Sequence, residues 1–128
     1  MAQKSEQLKA RTKKFAIGII RLVRTLPNRP ESWVIGKQLL RCGTAVAANY
    51  RAACRARSRL EFLAKLGIVV EEADETVFWL ELLSEAEVIA HDSLTEISSE
   101  ANELVSIFSA AQLTIKRGLE CQPADRKP

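Results

Sequence analysis

Apolar residues recur at steps of three and four along four stretches of this chain, and the stretches are separated by short polar or proline-bearing segments. That period belongs to a helix with one buried stripe; a strand would alternate every second residue. In the first stretch, about 6–26, Leu8, Phe15, Ile19, Leu22 and Leu26 share a face, and Pro27 and Pro30 end it. The second, about 31–56, carries Ile35, Leu39, Cys42, Val46, Asn49 and Ala53 in a 4-3-4-3-4 rhythm, the seam of a left-handed bundle. Gly43 and several alanines along it predict close approach by a neighbouring backbone. Ser58 and Glu61 form a capping-box pattern that opens the third stretch, striped by Phe62, Leu66, Val69, Ala73, Val77, Leu80 and Leu83. A second such pattern, Ser93 and Glu96, opens the fourth, which runs through Ile97, Ala101, Leu104, Phe108, Ala111 and Ile115 to a terminating Gly118. Short connections make consecutive helices antiparallel neighbours. The expectation is one all-α domain, an antiparallel up-down-up-down left-handed four-helix bundle over 1–118, followed by a frayed C-terminal tail, 119–128.

Charge divides the same chain in two. Through Leu60, fourteen Lys and Arg stand against Glu6 and Glu31, a surplus of twelve; from Glu61 onward five bases stand against fourteen acids, a deficit of nine. A bundle must therefore lay a basic hairpin against an acidic one. Antiparallel register places Arg24 level with Glu96, Arg21 with Glu100, and Arg41 with the run Glu71, Glu72, Asp74 and Glu75. At the opposite end, the start of the first helix, the second hairpin and the end of the fourth helix meet. There Lys9, Lys13, Arg51, Arg55, Arg57, Arg59, Lys116 and Arg117 gather with few acids, chiefly Glu6, Glu61 and Glu120. Lys9 to Lys14 also fall near a helix N-terminus, where the macrodipole disfavours cations, so stability alone does not choose them. A pole of this sign suits phosphate backbone without reading sequence. A solvated helical surface is the bland alternative, and Tyr50, the one aromatic beside the cluster, is expected to pack at the seam rather than stack on bases.

Other chemistries find little support. The longest uncharged run, Leu104 to Ile115, is twelve residues, short of the roughly 20 that span a membrane. The first helix could lie on a membrane surface, but the bundle core claims its apolar face. Three cysteines without a secretion signal predict a reducing, cytoplasmic setting: Cys42 and Cys54 share one helix too far apart to bridge, and Cys121 lies in the tail. The single histidine, His91, is expected in a turn, and neither the Glu-x-x-His pairs of a di-iron bundle nor a zinc pattern is present. No nucleophile is paired with a base, so the chain is read as a non-enzyme with no cofactor and no metal.

One stretch goes beyond physical pattern. Gly43-Thr44-Ala45-Val46-Ala47-Ala48-Asn49-Tyr50-Arg51-Ala52-Ala53, followed by Arg57-Ser58-Arg59-Leu60-Glu61-Phe62, resembles the signature of the small bacterial four-helix-bundle family of 23S ribosomal RNA intervening-sequence proteins. The Leu-Pro ending of the first helix, Gln38-Leu39-Leu40-Arg41, and Gly67 to Leu83 extend the likeness over Lys9 to Gly118. The resemblance implies an antiparallel bundle assembling as a homopentamer, in a family whose function is generally unassigned. A more distant likeness is to the accessory variability proteins of diversity-generating retroelements, basic pentameric bundles that associate with RNA and a reverse transcriptase. The commoner family pattern continues from the Asn as Ile-Ala-Glu-Gly, where Tyr50-Arg51-Ala52-Ala53 stands here, and loss of that acid raises local positive charge.

Asn49 on the apolar stripe is read as a buried hydrogen-bonding residue fixing register or subunit geometry, with a pore or ligand role as the alternative. Trp33, Phe78 and Trp79 are read as core or subunit-interface residues; adjacent Phe78 and Trp79 cannot share one helix face, so one of them is a candidate to meet a partner. The expected function is a homo-oligomer, pentameric by resemblance, binding RNA or DNA backbone through its basic pole. The alternative is an oligomeric scaffold or adaptor for a protein partner, such as an acidic protein or a nucleic-acid enzyme, through the same pole.

Overall fold

The computed structural model describes residues 2–120, and these form four long helices, α1 (Ala2–Arg24), α2 (Pro30–Ala53), α3 (Arg59–Glu85) and α4 (Thr95–Glu120), with a 3-10 turn at His91–Ser93. Consecutive helices pack as antiparallel neighbours, and α1 closes the bundle against α4 through sparser contacts. The all-α, up-down-up-down four-helix architecture is the one the periodicity requires.

Helix ends follow local chemistry. Pro30 occupies the first turn of α2, where its missing N–H costs nothing. Ser58 caps α3 by accepting from the Glu61 N–H at 3.0 Å, and the Glu61 carboxylate reaches back to the Arg57 N–H at 3.3 Å. The second predicted box does not form. Ser93 instead closes the 3-10 turn, its N–H donating to the Ala90 carbonyl at 3.0 Å, and α4 begins at Thr95. At the end of α3, Glu87 takes a left-handed φ of 56°, the Glu87 and Val88 N–H groups close on the Ser84 and Leu83 carbonyls, and the helix stops without a glycine. Gly118 does not end α4, which continues through Leu119 and Glu120; of the predicted frayed tail, 121–128 lies outside the described residues, as does Cys121.

The stripes read from the sequence make the core. Phe15, Ile19, Leu39, Val46, Leu66, Val69, Leu80, Leu83, Leu104 and Phe108 are buried together. Along α2 the seam passes through Tyr50 rather than Asn49. Tyr50 is buried with its ring 5.1 Å from Phe108, whereas Asn49 is half-buried and its amide folds back to donate to the Ala45 carbonyl at 2.9 Å. The larger apolar ring wins the core position, and the Asn satisfies itself on its own helix. At Gly43 α1 and α2 approach closely: a Cβ there would lie 2.9 Å from Ile19 Cγ1. Between α2 and α3, the Thr76 hydroxyl donates to the Glu72 carbonyl at 2.7 Å and lies 3.2 Å from Cys42 Sγ. Burial pushes the Cys42 thiol up.

Candidate nucleic-acid interface at the basic pole

Three contacts fix which chain segments share the pole. Tyr50 near the end of α2 packs on Phe108 of α4 and lies near Ser5 of α1, and the Cβ position of Gly67 in α3 lies 3.2 Å from Gln112 of α4. The start of α1, the α2–α3 turn and the last turns of α4 therefore meet. Beneath them Tyr50 is a closed floor, its phenol pushed up to about 12 by burial and by the neighbouring Cys54 thiol.

On this floor the predicted residues divide into a tip and a flank. Arg51, Arg55 and Arg57 stand exposed along the last turn of α2 and the turn beyond it, Arg59 opens α3, and Lys116 and Arg117 are exposed on α4. Lys13 is exposed but sits four residues, about 6 Å, further along α1 than Lys9. Lys9 is half-buried and ion-paired with Glu6 at 2.6 Å, so both belong to the flank and Lys9 is already partly neutralised. Of the expected acids, Glu6 is spent on Lys9 and Glu61 on the cap of α3. An up-down bundle also brings two helix N-termini and two C-termini to each end, so the macrodipoles largely cancel there and side chains set the field. Because α1 starts at Ala2, Lys9 to Lys14 lie beyond its first two turns, and the predicted dipole penalty does not fall on them.

Two cross-bundle clamps show where the basic and acidic halves do cancel. Arg41 pairs with Glu72 at 3.2 Å and with Glu75, as its register predicts. The clamp between α1 and α4 is not the expected one. Arg11 holds Glu100 with both Nε and a terminal nitrogen at 2.8 Å and reaches Glu103 at 2.8 Å, while Arg21 and Arg24 make no ion pair with Glu100 or Glu96. The 3-10 turn and the late start of α4 shift Glu96 and Glu100 toward the basic end, past the level of Arg24 and Arg21. Hydrogen bonding from Arg11 holds the Glu100 carboxyl below its usual range. Above this clamp a groove of about 1130 Å³ separates α1 from α4, floored by Phe15, Leu22 and Ile97 and edged by Lys14, Arg21 and Glu96.

The remaining candidates lie away from the pole. His91 sits in the turn before α4, with its Nδ1 2.8 Å from Ser84 Oγ. Trp33 is 61% exposed and Phe78 49%, so neither is in the core of the bundle, while Trp79 packs at the core edge and donates to Glu75 at 3.0 Å. Among the described residues no group of His, Cys, Asp and Glu could hold a metal ion, and no helix is long and apolar enough to cross a membrane.

Comparison with known proteins agrees with this architecture. A crystal structure of a protein of unknown function from the S23 ribosomal protein family of Bacteroides thetaiotaomicron VPI-5482 superposes with a TM-score of 0.78 at 36% identity, covering 85% of this chain and 97% of the other. A comparison with curated proteins gives no match. Residues 4–110 match the 23S rRNA-intervening sequence protein family, a span that includes the Gly43–Phe62 signature and the whole of α2 and α3. The chain belongs to the 23S rRNA-intervening sequence protein family.

Proposed function

We propose that this protein is a non-enzymatic, cytoplasmic homo-oligomer, a pentamer, that binds RNA or DNA backbone through its basic pole. The observation that carries the reading is the exposed set Arg51, Arg55, Arg57, Lys116 and Arg117 gathered at one end of the bundle, where Glu6 and Glu61 are already engaged and Glu120 is the one remaining acid of the three expected there. Guanidinium and ammonium groups on a rigid helical frame neutralise phosphates and release counterions, a gain that needs no base recognition. With Tyr50 buried, the pole offers no stacking platform, so little sequence preference is expected. Repeating the pole around an oligomer adds avidity when one strand reaches several subunits. The reading rests on charge and exposure; the family description names 23S rRNA without naming a ligand.

The test is binding of the purified protein to labelled single- and double-stranded RNA and DNA at about 50 and 200 mM salt, beside an Arg51/Arg55/Arg57/Arg59→Ala variant. Five phosphate contacts predict a loss on the order of 10²–10³-fold across that salt range, and removing the arginines should flatten the salt slope by about 3 to 4. Absence of binding at the lower salt ends the nucleic-acid reading and leaves a protein partner at the same pole.

A further inference from the structure

Among the described residues, Ser32 carries the one buried side-chain oxygen that no hydrogen bond meets. The residue is 3% exposed, so bulk water does not serve the hydroxyl either. Its backbone is short of a partner too. Ser32 stands in the first turn of α2, where N–H groups have no helical acceptor, and Arg29 at the N-cap position supplies no side-chain one. The first backbone bond of the helix runs instead from the Trp33 N–H to the Arg29 carbonyl at 3.1 Å. One residue thus holds two unmet donors, O–H and N–H, at the positive end of a 24-residue helix. A buried hydroxyl left without a partner costs stability that an alanine in its place would not.

Ser32 lines a hollow of about 340 Å³ between the end of α1 and the first turns of α2. Leu26 and Pro27 form one wall, Trp33 and Leu40 the other. Ser32 and Gly36 are buried and make the inner side, while Lys37 is exposed at the mouth. The base is narrow, since a Cβ added to Gly36 would lie 3.2 Å from Val23 Cγ1. Trp33 is held over the turn by its indole N–H, which donates to Asn28 Oδ1 at 2.8 Å. Because the ring is 61% exposed, it can swing outward at the cost of that bond and open a way to the sealed Ser32 hydroxyl. No carboxylate lines the hollow, and Lys37 has no ion pair among the described residues.

We infer that this hollow binds a small aromatic carboxylate: the carboxylate accepts from the Ser32 O–H and N–H, the ring lies between Trp33 and Pro27, and Lys37 adds the opposite charge at the mouth. The volume is at the lower end for small-molecule sites and suits a single ring. Apolar walls with donors concentrated at one inner residue favour a molecule that is an anion at one end only. The site lies at the end of the bundle away from the basic pole, about 27 Å along α2 from Arg51, so it goes beyond the nucleic-acid reading and does not depend on it.

Nuclear magnetic resonance on the isotopically labelled full chain tests it, with benzoate and phenylacetate as probes. Benzyl alcohol and acetate, which carry the ring or the carboxylate alone, are the controls. A Trp33→Phe variant assigns the two indole N–H signals. Either aromatic acid should shift the Trp33 indole and Ser32 amide signals saturably at about millimolar concentration, leave the Trp79 indole in place, and bind about tenfold more tightly than both controls. Ser32→Ala should weaken the acid about tenfold and Lys37→Gln about threefold. In the ligand-free chain, Ser32→Ala should leave the thermal midpoint unchanged or raise it, because no bond is lost. No shift with either acid up to about 20 mM overturns the inference, as does an equal response to acetate or benzyl alcohol. Undiminished binding in Ser32→Ala or Lys37→Gln overturns it too. A lowered midpoint for ligand-free Ser32→Ala would mean that the hydroxyl is already bonded in the free protein, and the inference falls with it.

Discussion

The α2–α3 seam and the α1–α4 seam are built from similar residues but are specified differently. α2 and α3 are joined by the short turn between Ala53 and Arg59, pack along their length, and bury Leu39, Cys42 and Thr76 completely. α1 and α4 are joined only through the rest of the molecule, touch sparsely, and leave an open groove beside Leu22 and Ile97. A tight turn carries register from one helix into the next, so a single apolar pattern fixes both. A closing seam inherits the accumulated offsets of three turns, and here a bidentate ion pair supplies the register that packing does not.

Equal truncations in the two seams should measure that difference. Leu39→Ala removes a fully buried side chain where the surroundings are dense, and a loss of about 3–5 kcal/mol is expected from urea unfolding. Leu22→Ala borders the groove and is 9% exposed, so the site is already partly open and the loss should be smaller, about 2 kcal/mol. Equal losses would mean that the groove wall is as tightly packed as the α2–α3 interior, and the comparison would collapse.

Gly43 sharpens the same contrast at the α1–α2 contact. An added methyl would press on Ile19, whose Cγ1, Cγ2 and Cβ lie 2.9–3.2 Å from the ideal Cβ position, and Ile19 is itself fully buried and branched, with nowhere to turn. Overpacking of about 1–3 kcal/mol opposes a helix-propensity gain of about 1 kcal/mol, so Gly43→Ala should lose about 1 kcal/mol net. Gly18→Ala, at the α1–α4 seam, meets only Ile97 Cδ1 at an ordinary 3.4 Å and should instead gain stability. Thermal unfolding of the two variants tests the opposite signs.

These contrasts also explain what the sequence disclosed. Helix number, the buried stripes, the Ser58 cap and the Arg41 clamp were legible because each depends on spacing within one helix or across one short turn. Three features were not. Asn49 and adjacent Tyr50 were both expected at the seam; Tyr50 packs there on Phe108, and that the ring displaces Asn49 to the half-buried edge is decided by packing that spacing does not encode. The stop of α3 uses Glu87 where glycine usually serves, so no breaker marks it. The 3-10 turn then delays α4, and with it the level of every acid on that helix. In the candidate site, clustering of the tip bases followed from topology alone, whereas the engagement of Lys9 by Glu6 and the removal of Arg11 to Glu100 depended on side-chain reach that spacing does not encode.

The smallest expected effect isolates that last clamp. Arg11 and Glu100 are each about a third exposed, so solvent screens the pair, and Arg11→Gln should cost only about 1 kcal/mol near pH 7. The sign of its pH dependence is definite. Arg11 depresses the folded-state pKa of Glu100, so the stabilisation is fully present above the unfolded-chain value of about 4.3 and disappears as pH falls through the lower folded value. Parent and variant should therefore differ in urea midpoint at pH 7 and converge toward pH 3. A gap that persists unchanged in acid would assign the contribution of Arg11 to packing of its aliphatic stem over the groove edge, and the α1–α4 register would then be set by apolar contact after all, as it is between α2 and α3.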